Sequence, residues 1–303
     1  MGYCQMPLQG IKILLIALES RIYKANPIYT FIMKLPWFKK KKKQHIAITK
    51  IEGVIADGID ASSGREEVVE SLKMAEEYEV KALIVRINSP GGTVGASQEI
   101  YQAIKTIREK GIPVVASFGD VAASGGVYVA MAANKVVSNP GTITGSIGVI
   151  IKSNNLTELY SKIGVSAQVI KSGTHKDILA SYRALTEEER ELLQETIDDT
   201  YLQFVEAVAE GRGLSMDEVK AFSDGRIFSG RQAKNFKLVD ELGDFQTAIN
   251  VAKQLAGIEG EPKLLHLEPE KSWRETLLGS FSKAVNRWQI GSEMQGIPLW
   301  LMP

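Results

Sequence analysis

The sequence predicts an α/β fold built on a parallel sheet, and three observations predict it. Short apolar runs recur at residues 82–87 (ALIVRI), 113–117 and 136–137, each short enough for a buried strand. Longer segments between and before them carry apolar residues on one helical face: Val68, Leu72 and Ala75, then Ile100, Ala103, Ile104 and Ile107. Strand–helix–strand alternation at this spacing implies βαβ units with right-handed crossovers.

The elements follow in order. Residues 46–51 alternate apolar and polar and predict a first strand, and 53–64 reads as a loop. A helix bearing Val68, Leu72 and Ala75 precedes the 82–87 strand; a second helix spans 95–110 and ends at Gly111. After the 113–117 strand, the small, apolar segment 125–133 suits a helix packed deep in a core. Strands are expected at 136–137, 147–151 and 166–170, with a helix at 156–163 between the last two. Thr186 is placed as an N-cap with Glu189 at the capping-box position, opening a long helix to about Glu210 that Gly211 and Gly213 stop. Short helices at 215–222 and 230–236, a strand at 226–228, a helix at 244–256 and a last strand at 263–267 complete the series. The tail from Glu268 is amphipathic, then apolar at 297–302.

Composition is that of a globular protein: 303 residues, 44% apolar and 24% charged, with 36 basic against 36 acidic side chains. No global field draws it to nucleic acid. One cysteine, Cys4, rules out an intramolecular disulfide framework, and three scattered histidines make a metal centre improbable, so no cofactor is expected. The apolar run 11–18 is too short for a bilayer span, which takes about 20 residues. It also lacks a signal-peptide cleavage site. Trp37 and Phe38 stand before an unbroken basic run, Lys39 to Lys43, a pairing suited to an anionic membrane surface. Otherwise the lysines are a solvated basic linker, or the residues before Met33 are upstream sequence ahead of a start there. The expected organisation is 1–44 as this N-terminal segment, 45–267 as the main domain and 268–303 as the amphipathic tail. Peripheral membrane association is expected, and a cytoplasmic place without it.

Three stretches carry chemistry. Ala122-Ala123-Ser124-Gly125-Gly126 puts a hydroxyl and the Gly125 N–H at the start of a helix, where a developing oxyanion is favoured. Asn88-Ser89-Pro90-Gly91-Gly92 follows a strand and offers glycine N–H groups from Gly91 or Gly92 with no side chain in the way. Lys176 supplies a base if it is held uncharged, as burial in an apolar site would do. His175 is the rival base, but Asp177 is too close in sequence to orient it easily. Ser146, between Gly145 and Ile147, would hold the lysine and relay protons. Each stretch also has an ordinary reading: a serine N-cap, a tight loop, a solvated lysine, a turn serine.

Together the stretches resemble signal peptide peptidase A, short form, a membrane-linked serine protease family of the Clp/crotonase superfamily. The resemblance rests on INSPGGTV (87–94), GDVAASGGVYVAMAA (119–133), PGTITGSIGVI (140–150), KSGTHKD (171–177) and residues 225–243, and runs from about Ile46 to Leu267. It implies a Clp/crotonase-like fold of repeated ββα units with C-terminal helices, and a Ser-Lys dyad of Ser124 and Lys176. It further implies Ser146 as the lysine-orienting serine and an oxyanion hole of Gly91 or Gly92 with Gly125. The implied activity is hydrolysis of hydrophobic or unfolded peptide segments, remnant signal peptides included, in a ring-like homo-oligomer. Val94 and Val121 are candidate groove-lining residues. The sequence departs from many members in lacking a clear transmembrane helix at its N-terminus. A crotonase-like acyl-CoA enzyme and a non-catalytic membrane scaffold are the alternatives.

Overall fold

Strand β1 (His45–Glu52) shows how the chain makes a two-faced sheet: Ile46 and Ile48 turn one way, Ala47 and Ile51 the other, and all four are buried. The structure, a computed structural model, describes residues 44–57, 63–268 and 299–302. Lys39 to Lys43 and nearly all of the 1–44 and 268–303 segments lie outside these residues. His45–Pro303 forms one unit, separate from Met1–Gln44.

Two short strands follow β1, β2 (Ile55–Ala56) and β3 (Ser63–Gly64), and then helix α1 (Arg65–Glu77). The pattern repeats with β4 (Ala82–Ser89), β5 (Gly91–Thr93) and α2 (Val94–Glu109). It continues with β6 (Val114–Ala123), α3 (Gly125–Ala130), β7 (Lys135–Ser138) and β8 (Ile143–Gly145). Next come α4 (Thr157–Lys162), α5 (Glu187–Arg212), α6 (Met216–Lys220), β9 (Ile227–Ser229) and α7 (Gly230–Asn235). The described elements end with β10 (Glu241–Leu242), α8 (Phe245–Leu255), β11 (Lys263–His266) and β12 (Leu299–Leu301). The main sheet runs β10-β7-β6-β4-β1-β11, all parallel, with β8 extending β6 and β9 antiparallel to β8. The small strands form a second sheet, β12-β5-β2-β3. The first two repeats are therefore a long strand, one or two short strands that leave for the second sheet, and a helix, while β6 passes directly into its helix.

The main sheet is covered on both faces. On one, Ile46, Ile48, Ile84, Val115 and Val137 pack against Ala248, Ile249 and Ala252 of α8. On the other, Ala47, Leu83, Val85, Val114 and Ala116 meet Leu72 of α1, Ile100 and Ile104 of α2, Val127 and Val129 of α3, and Phe204 and Val208 of α5. Burying one such Val, Leu, Ile or Phe is worth about 1.5–3 kcal/mol, so the alternation along β1 and β4 fixes which face points where.

Most elements stand where the sequence puts them. The Thr186–Glu189 capping box is formed, and Gly213 is the left-handed C-cap of α5 at φ 63°. Gly211, expected as a stop, lies inside the helix. A Cβ there would come within 2.3 Å of the Met131 carbonyl oxygen, so this glycine allows close packing against the chain just after α3.

Two expected strands are absent. Residues 147–151 are irregular, with one antiparallel bridge from Ile150 to Leu299, and residues 166–170 belong to no helix or strand and are exposed. The apolar runs there resemble buried strands, but β8 and β9 already continue this end of the sheet. Conversely, β2, β3, β5 and β12 are too short for a two-residue period to reveal.

Candidate active site

The site begins at an irregularity. β4 and β6 pair in simple register through Ile87 and Phe118, then jump to Ser89 opposite Ala122, leaving two extra residues in β6. Asn88 holds the bulge: its side-chain oxygen accepts from the N–H groups of Asp120 and Val121, both at 3.1 Å. A Cβ on Gly119 would sit 2.9 Å from that of Asn88, so only glycine fits. Two threonines fasten the far side. Thr142 donates to the Gly119 carbonyl and Thr144 to the Ala122 carbonyl, each at 2.6 Å. The bulge thus aims Ala122–Ser124 across the end of β4.

Ser124 stands where β6 turns into α3, buried, with φ 52° and ψ −118°. Its hydroxyl does not cap the helix. A serine N-cap would have extended backbone and a hydrogen bond to the helix. This residue has neither, and such a positive-φ corner costs about 1–3 kcal/mol when it is not glycine. Strain of this kind at a strand-to-helix elbow lifts a nucleophile's oxygen out of the main chain.

The neighbours converge. The Ser124 N–H donates to the Gly145 carbonyl at 2.8 Å, which sets Ser146 beside the elbow, also at positive φ (51°) and also buried. Ser146 is held through its N–H to the Arg226 carbonyl at 2.8 Å. A Cβ on Gly126 would lie 3.2 Å from the Ser89 carbonyl oxygen, so the Ser89–Gly92 turn rests against the start of α3. In that turn the Gly91 N–H is engaged by the Ser89 hydroxyl at 3.0 Å. Gly92 is the tightest position: a Cβ would fall 1.7 Å from the Ile55 carbonyl oxygen. Val94 and Val121 are half-buried nearby in sequence, at the start of α2 and in the β6 bulge.

A strand already lies along this turn. β12 runs antiparallel to β5, with Leu301, Trp300 and Leu299 opposite Gly91, Gly92 and Thr93, and it also touches α3. The Met302 N–H donates to the Pro90 carbonyl at 2.8 Å. Alternation along an antiparallel ladder then aims the Gly92 N–H at the Trp300 carbonyl. The other edge of β12 bonds Ile150 in both directions, at 3.0 and 3.1 Å.

Lys176 is not brought to Ser124 within one copy. Residues 152–182 form an arm with no buried residue, exposed through most of 152–176 and half-buried at 177–182, and Lys176 is exposed on it. It lines a cavity of about 560 Å³ with Val169, Asp177, Ile178, Leu179, Ala180 and Tyr182, none of them from the serine's elbow or the glycine turn. His175 faces Glu188 at 3.7 Å, and its Nδ1 is buried without a hydrogen-bond partner among the described residues.

The arm is tied down by charge. Arg183 holds the Asp177 carboxyl far below the usual carboxylate range, with Lys171 as the next cause. Arg183 likewise holds Glu189 down to about 2, assisted by the Thr186 backbone. The sequence hinted at this cluster only through an acid beside a lysine and an arginine ahead of a capping box. Asn88 and Thr144 were equally hidden, because their work is to hold backbone.

Among the described residues no helix is long and apolar enough to cross a membrane, and no group of three His, Cys, Asp or Glu could hold a metal ion.

The model of peptidase family S49 matches residues 106–259, a span that includes Ser124, Ser146 and Lys176. A Synechocystis sp. protein with a provisional protease designation is 46% identical, over 87% of this chain and 98% of that one. Serine protease SPPA, chloroplastic, of Arabidopsis thaliana is 35% identical over 79% of this chain, which spans only 36% of that protein. Among solved structures, a serine-to-alanine form of a membrane-bound stomatin-specific protease superposes with a TM-score of 0.50 at 16% identity, covering 75% of this chain and 99% of that one. That likeness concerns the fold.

Proposed function

This chain belongs to peptidase family S49 with a Clp-like fold, a serine-type peptidase of the signal peptide peptidase A kind, and from that premise we propose that it is an endopeptidase working by a Ser124–Lys176 dyad shared between copies. The observation that carries the reading is the strained backbone of Ser124, set at an elbow beside a glycine turn and a second serine. A hydroxyl with no hydrogen-bond partner among the described residues, in a costly conformation, has a chemical rationale and no structural one.

The base comes from elsewhere because the arm does. Lys176 projects on a segment that exposes Leu159, Ile163, Val165, Val169 and Ile170, while the β8–β9 end of the sheet exposes Ile143 and Ile227. Apolar surface of this kind calls for a cover, and a second copy supplies one in a closed homo-oligomer. The arm of one copy would then deliver its amine, stripped of water, to the elbow of the next.

The steps balance. Uncharged Lys176 takes the Ser124 proton as Oγ bonds to the peptide carbonyl carbon. The N–H groups of Gly92 and Gly125 hold the resulting oxyanion. Both turn glycines have an acceptor as the chain stands, Gly91 the Ser89 hydroxyl and Gly92 the Trp300 carbonyl of β12, so Gly92 serves once β12 gives way to substrate. The lysine returns the proton to the leaving nitrogen as the C–N bond breaks. Water, deprotonated by the same amine, then releases the acyl group and restores the serine. Ser146 orients the arriving amine. Hydrophobic or unfolded segments, remnant signal peptides among them, fit an extended groove lined by Val94 and Val121. Lys39 to Lys43 would hold the enzyme at an anionic membrane surface where such segments lie.

A fluorophosphonate probe, with the labelled peptide mapped by mass analysis, tests the nucleophile: label on Ser124, lost in Ser124→Ala, is the expected result. Peptidase activity should fall by about 10³-fold or more in both Ser124→Ala and Lys176→Ala, leaving only the small residual rate that binding and the oxyanion donors give. Mixing the two dead variants should restore about one quarter of wild-type activity, since one site in four then pairs an intact serine with an intact lysine. Label on another residue overturns the reading. Failure of mixing to restore activity in co-assembled variants overturns the sharing between copies.

A further inference from the structure

The turn that carries Lys176 is better fixed than its exposure predicts. It buries too little apolar surface to hold its own shape. Yet it passes through Leu179 at φ 68°, a conformation that a bulky residue keeps only when its surroundings over-determine it. The surroundings are polar. The Asp177 carboxylate accepts from Lys171 at 2.6 Å, from the Tyr182 hydroxyl at 2.9 Å and from Arg183 at 2.6 and 3.0 Å. The same guanidinium donates to Glu189 at 2.6 and 2.7 Å. Glu189 closes the capping box of α5, whose far half is buried through Phe204, Val205 and Val208. Lys171 also donates to the Thr174 carbonyl at 2.7 Å, tying the near side of the turn.

We propose that Asp177, Arg183 and Glu189 form a relay that positions Lys176, fixing the direction in which its amine leaves the arm by anchoring the turn to the core-bound helix α5. The proposal rests on the Ser124–Lys176 reading above. Two features make the relay suited to a lysine base. First, Asp177 is the immediate neighbour of Lys176 and its most available counter-ion. A carboxylate filled by Lys171, Tyr182 and Arg183 has no call on that amine, which stays free to meet a serine. Second, Lys171 and Arg183 balance Asp177 and Glu189 in charge, so the relay holds the turn without placing net charge beside a group that must give up its own. Guanidinium is the right material, because a planar fork can grip two carboxylates at once where an ammonium makes a point contact.

The test uses the full, assembled chain and a fluorogenic peptide. Arg183→Lys keeps the charge and loses the fork. It is expected to lower kcat by about 10- to 100-fold with KM little changed, the scale of a displacement near 1 Å in a reacting group. In a Lys176→Ala background the same substitution should cost nothing further, since a positioning residue has no effect once the group it positions is gone. A merely structural role would lower the residual rate of Lys176→Ala as well, and that result overturns the relay. Wild-type kcat in both Arg183→Lys and Asp177→Asn, with Lys176→Ala dead, also overturns it while leaving the dyad standing. Wild-type kcat in Lys176→Ala itself overturns the dyad. Should Arg183→Lys fail to fold, Tyr182→Phe removes one donor to Asp177 and keeps every ion pair. It should give a smaller fall in kcat, again absent in the Lys176→Ala background, and wild-type kcat there would count against the relay.

Discussion

Replacing Ser124 by glycine and by alanine separates a strained nucleophile from a helix cap by stability alone. Ser124 has φ 52° and ψ −118°, and its hydroxyl makes no cap bond. Alanine keeps the Cβ and therefore the strain, and it loses no hydrogen bond to the helix, so its stability should match the wild type. Glycine relieves about 1–3 kcal/mol of backbone strain. It gives back about 0.4–1 kcal/mol through the freer unfolded chain. The net gain is roughly 1 kcal/mol, a rise of about 2 °C in Tm for a domain of this size. The assay is thermal or denaturant unfolding of the three proteins at equal subunit concentration, both variants being catalytically dead. A capping serine predicts another order: alanine below wild type by about 1 kcal/mol and glycine below it by a few tenths. Glycine at or under the wild-type value would therefore refute the elbow argument.

Other consequences are as direct. Gly92→Ala forces a Cβ to 1.7 Å from the Ile55 carbonyl oxygen. Because backbone cannot yield there, β2 and β5 should part, with kcat down about 10²–10³-fold as for a lost oxyanion donor; near-wild-type kcat would show that the turn plays no part in the reaction. Removing residues 299–303 should speed hydrolysis of short peptides and labelling of Ser124, because β12 lies along the strand that carries Gly92. A slower enzyme would mean that β12 is part of the site. Glu189 sits at about 2 against an ordinary value of 4.5. A depressed folded value means stability present above about 4.5 and lost as pH falls toward 2. Amide protection in the Lys176 turn, corrected for intrinsic exchange, should hold at pH 5 and drop below 4, and a flat profile down to pH 2 would discount the tie to α5.

The helices and long strands were legible because burial writes a period into the chain. Ile46 and Ile48 against Ala47 and Ile51, or Ile100 with Ile104 and Ile107, declare their faces without help. The serine, its glycines and Ser146 were legible as motifs, since turning backbone tightly leaves a glycine signature. What carried no signal was register. The two extra residues of β6 opposite Asn88 depend on one side-chain amide and on the absence of a Cβ at Gly119. The false strands at 147–151 and 166–170 differ in cause: Ile147 and Val149 are covered by the core without pairing in the sheet, whereas the apolar residues of 166–170 stay exposed, and sequence alone does not tell these cases from a buried strand.

The Ser124 hydroxyl is built into the interior, while the Lys176 amine hangs on an outlying limb. If the proposed dyad joins them between copies, the catalyst is governed by dose: a lone chain would carry a primed oxygen and no working site, and turnover per molecule would climb as copies accumulate and meet. Dilution would then silence it without any inhibitor.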